Sequence, residues 1–201
     1  MSNQVTTLVN VAYSDRNRKT VFWRGILVFP AFIFVATFTQ ATFGDTNNWE
    51  WGTAGAIVLP TVLALLFRQV YPSYVLTFNH AVTELGTRLS AYLFLLNDDY
   101  PSIERNPNVA VIFPDIEGGT KLNRGLPLIK WFLAIPHYVV GAIYVALSFV
   151  VTVIAWVQTS ATGKYPAWAG DIVLATIAYI NRVEGYMLLL VTDEYPTFRL
   201  K

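Results

Sequence analysis

Apolar and polar positions alternate along the chain in blocks long enough to form helices. The apolar blocks are residues 21–43, 53–68, 126–158 and 167–191. An α-helix rises about 1.5 Å per residue, so about 20 apolar residues cross a hydrocarbon core of about 30 Å. The pattern therefore predicts several membrane helices. Pro30 predicts a kink in the first, and the third is interpreted as a short interfacial segment up to Pro136 followed by a crossing from His137 to Gln158.

A fifth block, residues 73–97, is mixed rather than apolar. Its polar residues recur at spacings of three and four and therefore share one face of a helix: Asn79, His80, Thr83, Glu84, Thr87 and Arg88. Two interpretations remain open. The helix either crosses the membrane with this face directed inward, or it lies in the membrane interface.

Several segments between the helices are expected outside the bilayer. Residues 4–13 and 108–113 are rich in β-branched residues and predict short strands, which would form a small cytoplasmic β cap. The C-terminal YPTFRLK is compatible with a further short strand. Residues 44–52 predict a loop, in which Trp49 and Trp51 suit the interface because an indole ring prefers a half-wet position.

Two stretches with the same pattern divide the chain into halves. Residues 92–101 read YLFLLNDDYP, and residues 186–196 read YMLLLVTDEYP. Each half also carries an arginine four residues before the first tyrosine of the stretch, an upstream Tyr-Pro pair, and a basic residue six before a proline: Arg88 and Arg182, Tyr71 and Tyr165, Arg24 and Lys130. These features occur in the same order in both halves and therefore predict a duplicated unit, residues 1–102 and 103–201. Whether 53–68 is a separate crossing remains open.

Composition supports the same class of protein. Hydrophobic residues make up 54% of the chain and charged residues 13%, against a usual charged share of about 25%. The expected fold is an all-α integral membrane protein built from helical hairpins. A net charge of +1 argues against an electrostatic nucleic-acid binder. The absence of cysteine excludes a disulfide, a thiolate nucleophile and an iron–sulfur site, and the polar residues 1–20 predict no cleavable signal peptide.

Basic residues give a prediction of topology. Arginine and lysine cluster at 16–24, 105–130 and 199–201. The positive-inside rule places all three segments in the cytoplasm, which requires about four net crossings with both termini inside. The two hairpins would then be parallel repeats related by an axis along the membrane normal.

The acidic pairs of the repeated stretch are the first candidate site. Asp98, Asp99, Asp193 and Glu194 are predicted at helix C-termini, where the helix dipole disfavours negative charge. We expect at least one of them to pair with a basic residue at the same level: Arg24, Arg124 or Lys130. The pairs could form a cation or substrate site, or they could lock the hairpins together.

The remaining candidates are weaker. Glu84 and Arg88 have the favourable i, i+4 order of an ion pair within one helix, and Arg182 is the counterpart of Arg88 in the second unit. His80 and His137 are the two histidines and could bind a haem only if their rings faced each other. No metal ligation, cofactor or catalytic residue is predicted.

The motifs KWFLAIPHYVV (130–140) and GKYP (163–166), together with the two acidic Tyr-Pro stretches, resemble a family of bacterial multipass membrane proteins known as domain of unknown function 4389. The likeness is best in the second unit. In the first unit Phe29-Pro30-Ala31 replaces the Pro-His pattern, and 44–52 looks inserted. The resemblance implies a membrane location and a helical fold, and we expect that membrane to be the bacterial inner membrane. It implies no activity.

Three functions are compatible with these features. The first is a non-enzymatic accessory or scaffold subunit of a larger membrane assembly, with the lipid bilayer and other membrane subunits as partners. The second is a small transporter or lipid-handling protein that uses the interface between the repeats. The third is a haem- or pigment-binding membrane subunit.

Overall fold

The computed structural model describes residues 3–36, 53–104 and 106–200, with the backbone alone for 53–57. It is mostly helical with one two-stranded sheet. The elements are β1 Thr6–Val9, α1 Arg18–Phe22, α2 Arg24–Leu27, α3 Phe29–Ala36, α4 Thr53–Arg68, α5 Ser73–Leu93, β2 Val109–Ile112, α6 Lys130–Leu133, α7 Ile135–Thr162 and α8 Ala167–Met187, with 3₁₀ turns at Glu117–Gly119 and Leu126–Leu128. The predicted loop 44–52 and residues 37–43 lie outside the described part, and the described residues 195–200 of YPTFRLK form no strand.

The apolar blocks 21–43 and 126–158 are each divided into shorter helices, and in each block the last described helix begins beside a proline. The block 21–43 begins as the short helices α1 and α2, and α3 starts one residue before Pro30. Pro136 likewise lies in the first turn of α7. A proline is tolerated there because the first N–H groups of a helix have no intrahelical partner. The expected kink at Pro30 is therefore a helix start, while α4 has the predicted bounds.

Helices α5 and α8 are each 21 residues long and follow Pro72 and Pro166. Both end four residues earlier than the predicted 97 and 191. Leu95 and Leu190 adopt left-handed backbone conformations, with φ of 67° and 58°, and a left-handed residue ends a right-handed helix. The acidic motifs therefore lie in the loops that follow the helices.

The relative direction of α5 and α8 corrects the predicted topology. Tyr71, just before α5, donates its hydroxyl to the carbonyl of Leu189, just after α8, at 2.7 Å. Tyr165, just before α8, donates to the carbonyl of Phe94, just after α5, at 3.2 Å. The start of each helix thus meets the end of the other, and the helices are antiparallel. The predicted parallel hairpins, with both acidic motifs at one level, are wrong: the motifs lie about 30 Å apart, at opposite ends of the pair.

The two strands do not cap one end of the helices but run along them. β1 and β2 pair antiparallel from Thr6 opposite Ile112 to Val9 opposite Val109. At one end of α8, Val5 packs on Gly185, and at the other the ring of Tyr13 lies beside Gly170. The ribbon formed by β1 and β2, with its flanking residues, therefore covers one side of α8 over most of its length.

Helix α7 packs on the opposite side of α8. Ser148 of α7 donates to the hydroxyl of Thr176 at 2.8 Å, whereas Asn181 of α8 donates to Thr7 of the ribbon at 2.8 Å. Five residues at 3.6 per turn place Thr176 and Asn181 on different faces. Among the described residues α7 is the one helix long and apolar enough to cross a membrane, so four crossings are not supported.

Candidate functional site

The predicted ion pair between Arg24 and an acidic motif is present at one end of the α5–α8 pair. Asp98 binds the guanidinium of Arg24 and also that of Arg16, with Arg16 Nη2 2.7 Å from its Oδ1. Arg24 is buried and lies 4.3 Å above the centre of the Tyr92 ring. Burial alone would raise the pKa of Asp98, but the hydrogen bonds and charges of Arg16 and Arg24 outweigh it and hold that pKa below its ordinary value. We call this group the Asp98 cluster.

The predicted pair of Lys130 with an acidic motif is present at the other end. Lys130 Nζ lies 2.7 Å from Asp193 Oδ1, donates to the carbonyl of Thr192 at 2.7 Å, and lies 5.1 Å from the centre of the Tyr186 ring. Burial lowers the pKa of Lys130, and the neighbouring Asp193 opposes that shift. This Asp193 cluster contains one buried cation where the Asp98 cluster contains two.

Both clusters are built from corresponding residues of the two halves. The edge-to-face pairs Tyr92–Tyr100 and Tyr186–Tyr195 each have ring centres 5.7 Å apart. Asn17 and Asn123 each donate a backbone N–H to the aspartate, Asp98 or Asp193, and each uses its side chain to cap the turn that follows. The two clusters are similar in arrangement, and the helices that precede them run antiparallel.

The clusters fasten the loops to the helices rather than present open ligand positions. Both carboxylates are already engaged by cations of the chain. Within the described ranges, no group of three histidine or acidic side chains is placed to hold a metal ion. Arg16 was not among the predicted residues. The residue at the corresponding position of the second half is Leu122. Comparison of the two halves therefore gives no indication of the role of Arg16.

The other acidic candidates make neutral contacts. Asp99 accepts hydrogen bonds from the amides of Asn106 and Asn108, at 3.2 and 2.6 Å. Glu194 accepts from the backbone of Asn3 and the amide of Gln4, at 2.7 and 3.2 Å. Arg124 donates to the side chain of Gln69 at 2.8 Å, and it meets no carboxylate in the described ranges of the chain.

Arg88 and Arg182 hold the chain that follows their helices. Arg88 forms the predicted pair with Glu84 at 2.6 Å and donates to three carbonyls of the segment 102–104. Arg182 donates to the carbonyl of Arg199 at 2.8 Å. Each arginine thus ties a loop or tail to the helix.

The structure does not bring the two histidines to one site. His80 of α5 bonds to the carbonyl of Val111 in the ribbon at 2.7 Å. His137 of α7 lies 2.6 Å from the hydroxyl of Tyr179 and stacks on Phe198, with ring centres 4.2 Å apart. Their surroundings are different, so they do not form a bis-histidine site.

A cavity of about 560 Å³ lies between α5 and α8, with α3, α4 and α7 around it. Val35, Val58 and Val145 contribute apolar walls. The polar lining comes from α5, α7 and α8: Asn79, Thr83, Thr87, Ser90, Ser148, Thr176, Asn181 and Glu184. Asn181 donates to the hydroxyl of Thr87 at 3.0 Å, which joins the two central helices at the cavity.

Glu184 is the ionisable residue of this lining, and burial raises its pKa to about 7. Within the described part of the chain its carboxyl group accepts no hydrogen bond, and it forms no ion pair. An apolar chamber with a few hydrogen-bonding groups and one unengaged carboxyl can hold a molecule that has an apolar body and a polar end. The polar face predicted for residues 73–97 forms one side of this cavity. Nothing in the sequence indicated that this face packs against α8.

Comparisons with known proteins agree with part of the sequence resemblance. No curated protein and no solved structure matches the chain. The matched family model covers residues 127–199, from the turn before α6 to the C-terminal tail, and is described as Domain of unknown function (DUF4389). The first half, where the motifs depart from the pattern, lies outside the match. The part that forms α6 to α8 and the Asp193 cluster is therefore similar to DUF4389.

Proposed function

We propose that this protein associates with a membrane and binds one lipid or lipid-like amphiphile in the cavity between α5 and α8. The observation that carries the proposal is the combination of apolar walls and a polar lining in one chamber. Its volume of about 560 Å³ falls within the range of about 300–1,000 Å³ that is usual for small-molecule sites.

The apolar and the polar residues of the lining would contact different parts of the ligand. Val35, Val58 and Val145 offer contacts to an apolar chain. Asn181 and Glu184 offer hydrogen bonds to a polar group, and an unpaired carboxyl in an apolar chamber is stabilised when a ligand donor reaches it. A binding role accounts for these groups without a catalytic residue.

The exposed apolar surface supports association with a membrane, and we propose the bacterial inner membrane as the location. Helix α7 buries a narrow stripe and exposes Val139, Ile143, Phe149, Val150, Ile154 and Val157. The shorter helices α1 to α3 expose Phe22, Trp23, Ile26, Phe29 and Phe32. Contiguous exposed apolar surface on this scale is unusual for a water-soluble monomer, and lipid chains would cover it.

The cavity can be filled by one substitution. Gly86 lines it, and a Cβ at this position would meet nothing within 4 Å. Leucine is also a better helix former than glycine, so Gly86→Leu should occupy the cavity without disturbing α5. Gly25 in α2 is exposed and equally open but lies outside the cavity, so Gly25→Leu is the matched control.

The measurement is the lipid that remains bound after purification in detergent, extracted and quantified by mass spectrometry. We expect about one tightly held lipid per chain in the wild type and in Gly25→Leu, and severalfold less in Gly86→Leu. Equal lipid content in Gly86→Leu and the wild type, with both folded, would contradict the proposal.

An accessory role in a larger assembly is the second candidate. It is supported by the ribbon, because no third strand pairs with β1 or β2 among the described residues. Unpaired strand edges can accept a strand from another protein. A stoichiometric protein partner that copurifies with both leucine variants would favour this candidate over lipid binding.

A further inference from the structure

We infer that the protein lies in the plane of the membrane, with the ribbon toward the water and with α7 and α1 to α3 in one lipid leaflet, rather than crossing the bilayer. This assigns the exposed apolar face to a lipid surface. It rests on the proposed membrane association but concerns orientation, so it does not depend on the proposed ligand.

The layering of the chain is the first argument. The ribbon and α7 pack on different sides of α8, and the ribbon accompanies α8 from Gly185 to Gly170. If α7 crossed a bilayer, the ribbon would therefore lie at the same depth and be surrounded by lipid. A two-stranded sheet leaves backbone N–H and C=O groups on its outer edges, and hydrocarbon offers these groups no partner. The ribbon needs water or another protein beside it.

The second argument is the distribution of basic residues. Arg18 and Lys19 lie at the end of the molecule that holds the Asp98 cluster, and Lys121 and Arg124 lie at the end that holds the Asp193 cluster. A crossing would place these two basic groups on opposite sides of the membrane. The positive-inside rule favours one side for both. An in-plane orientation satisfies the rule because both ends then face the same water layer.

The third argument is that the apolar elements form one face. Phe22 of α1 stacks on Trp156 of α7, with ring centres 5.6 Å apart. Val35 of α3 and Val145 of α7 line the same cavity. Thus α1, α3 and α7 lie beside one another on the side of α5 and α8 that the ribbon does not cover. Apart from Arg18 and Lys19 at the start of α1 and Gln158 and Thr162 near the end of α7, their large exposed side chains are apolar, which suits insertion of one face into a leaflet.

Because the chain has no cysteine, single-cysteine variants give a direct test in the full-length protein. Asp15→Cys reports the end with the Asp98 cluster, and Thr120→Cys reports the end with the Asp193 cluster. Leu8→Cys reports the ribbon, where Leu8 is 53% exposed, and Ile143→Cys reports α7, where Ile143 is 59% exposed. Each variant is treated with a membrane-impermeant maleimide in intact bacterial cells and in inside-out membrane vesicles.

The expected result is labelling at positions 15, 120 and 8 from the cytoplasmic side alone, with position 143 unlabelled from either side until detergent is added. Labelling of positions 15 and 120 from opposite sides would overturn the inference and establish a crossing. Failure of position 8 to label in membranes, when it labels in detergent, would also overturn it. Lipid content in these variants is measured separately, so loss of the in-plane orientation and loss of the lipid site are distinguishable.

Discussion

Asp98 stands between two buried arginines, so neutralising it should destabilise the protein far more than neutralising its neighbour. The side chains of Arg16 and Arg24 are 0% and 2% exposed, and that of Asp98 is 28% exposed. In Asp98→Asn, both guanidinium groups would stay buried without a counter-charge. Removing one partner of a buried ion pair costs about 3–5 kcal/mol.

We expect a value near the lower limit, about 3 kcal/mol, because Asp98 is partly hydrated and both arginines keep bonds to carbonyls. For a chain of this size that corresponds to a fall in Tm of about 6–12 °C. The assay is thermal unfolding of the purified protein at a fixed detergent concentration.

Asp99→Asn is the matched control. Among the described residues, the adjacent carboxylate accepts from the neutral amides of Asn106 and Asn108. The asparagine oxygen can still accept, so we expect a loss below about 1 kcal/mol. An equal fall in Tm for both variants would refute the idea that Asp98 neutralises buried charge.

The pH dependence of thermal stability gives a second test of the Asp98 cluster. The pKa of Asp98 is held below its ordinary value, which is about 3.9 in an unfolded chain. Its contribution to stability is therefore fully present above about pH 4 and is lost as the pH falls through the lowered pKa. The Tm difference between the wild type and Asp98→Asn should stay constant from about pH 7 to pH 5 and narrow below about pH 4. A difference that vanished near neutral pH would contradict this assignment.

Two further outcomes are expected. Lys130→Glu should lower the Tm because it faces Asp193 across 2.7 Å, and adding Asp193→Lys should restore part of the loss whereas adding Asp99→Lys should not; equal rescue by both would exclude a specific pair. Gly119→Ala should destabilise by more than about 1 kcal/mol, because Gly119 has φ of 103° and an added Cβ would lie 2.7 Å from the backbone nitrogen of Tyr71; an unchanged Tm would show that this turn can rearrange.

Local features of the structure follow from local sequence. Helix α4 has its predicted bounds, and the predicted strands lie within the expected segments, because apolar runs, β-branched residues and Tyr-Pro boundaries act over a few residues. An ion pair between an acidic motif and Arg24 or Lys130 was also predictable, since each basic residue begins an apolar helix and each acidic motif follows one, but the sequence did not indicate which carboxylate meets which basic residue. The early ends of α5 and α8 were not predictable from the sequence. A left-handed residue after a helix is usually glycine or asparagine, whereas here it is leucine.

Only the tertiary structure decided how the two halves meet. Similar sequences predict similar local folds, but they leave open whether two copies pack parallel or antiparallel. That choice rests on contacts such as Tyr71 with Leu189 and Tyr165 with Phe94, between residues far apart in the chain. The same contacts place a ribbon along α8 and bring Asn181 to Thr87 at the cavity. Such arrangements depend on how the surfaces of different elements fit together, and no single segment carries that information.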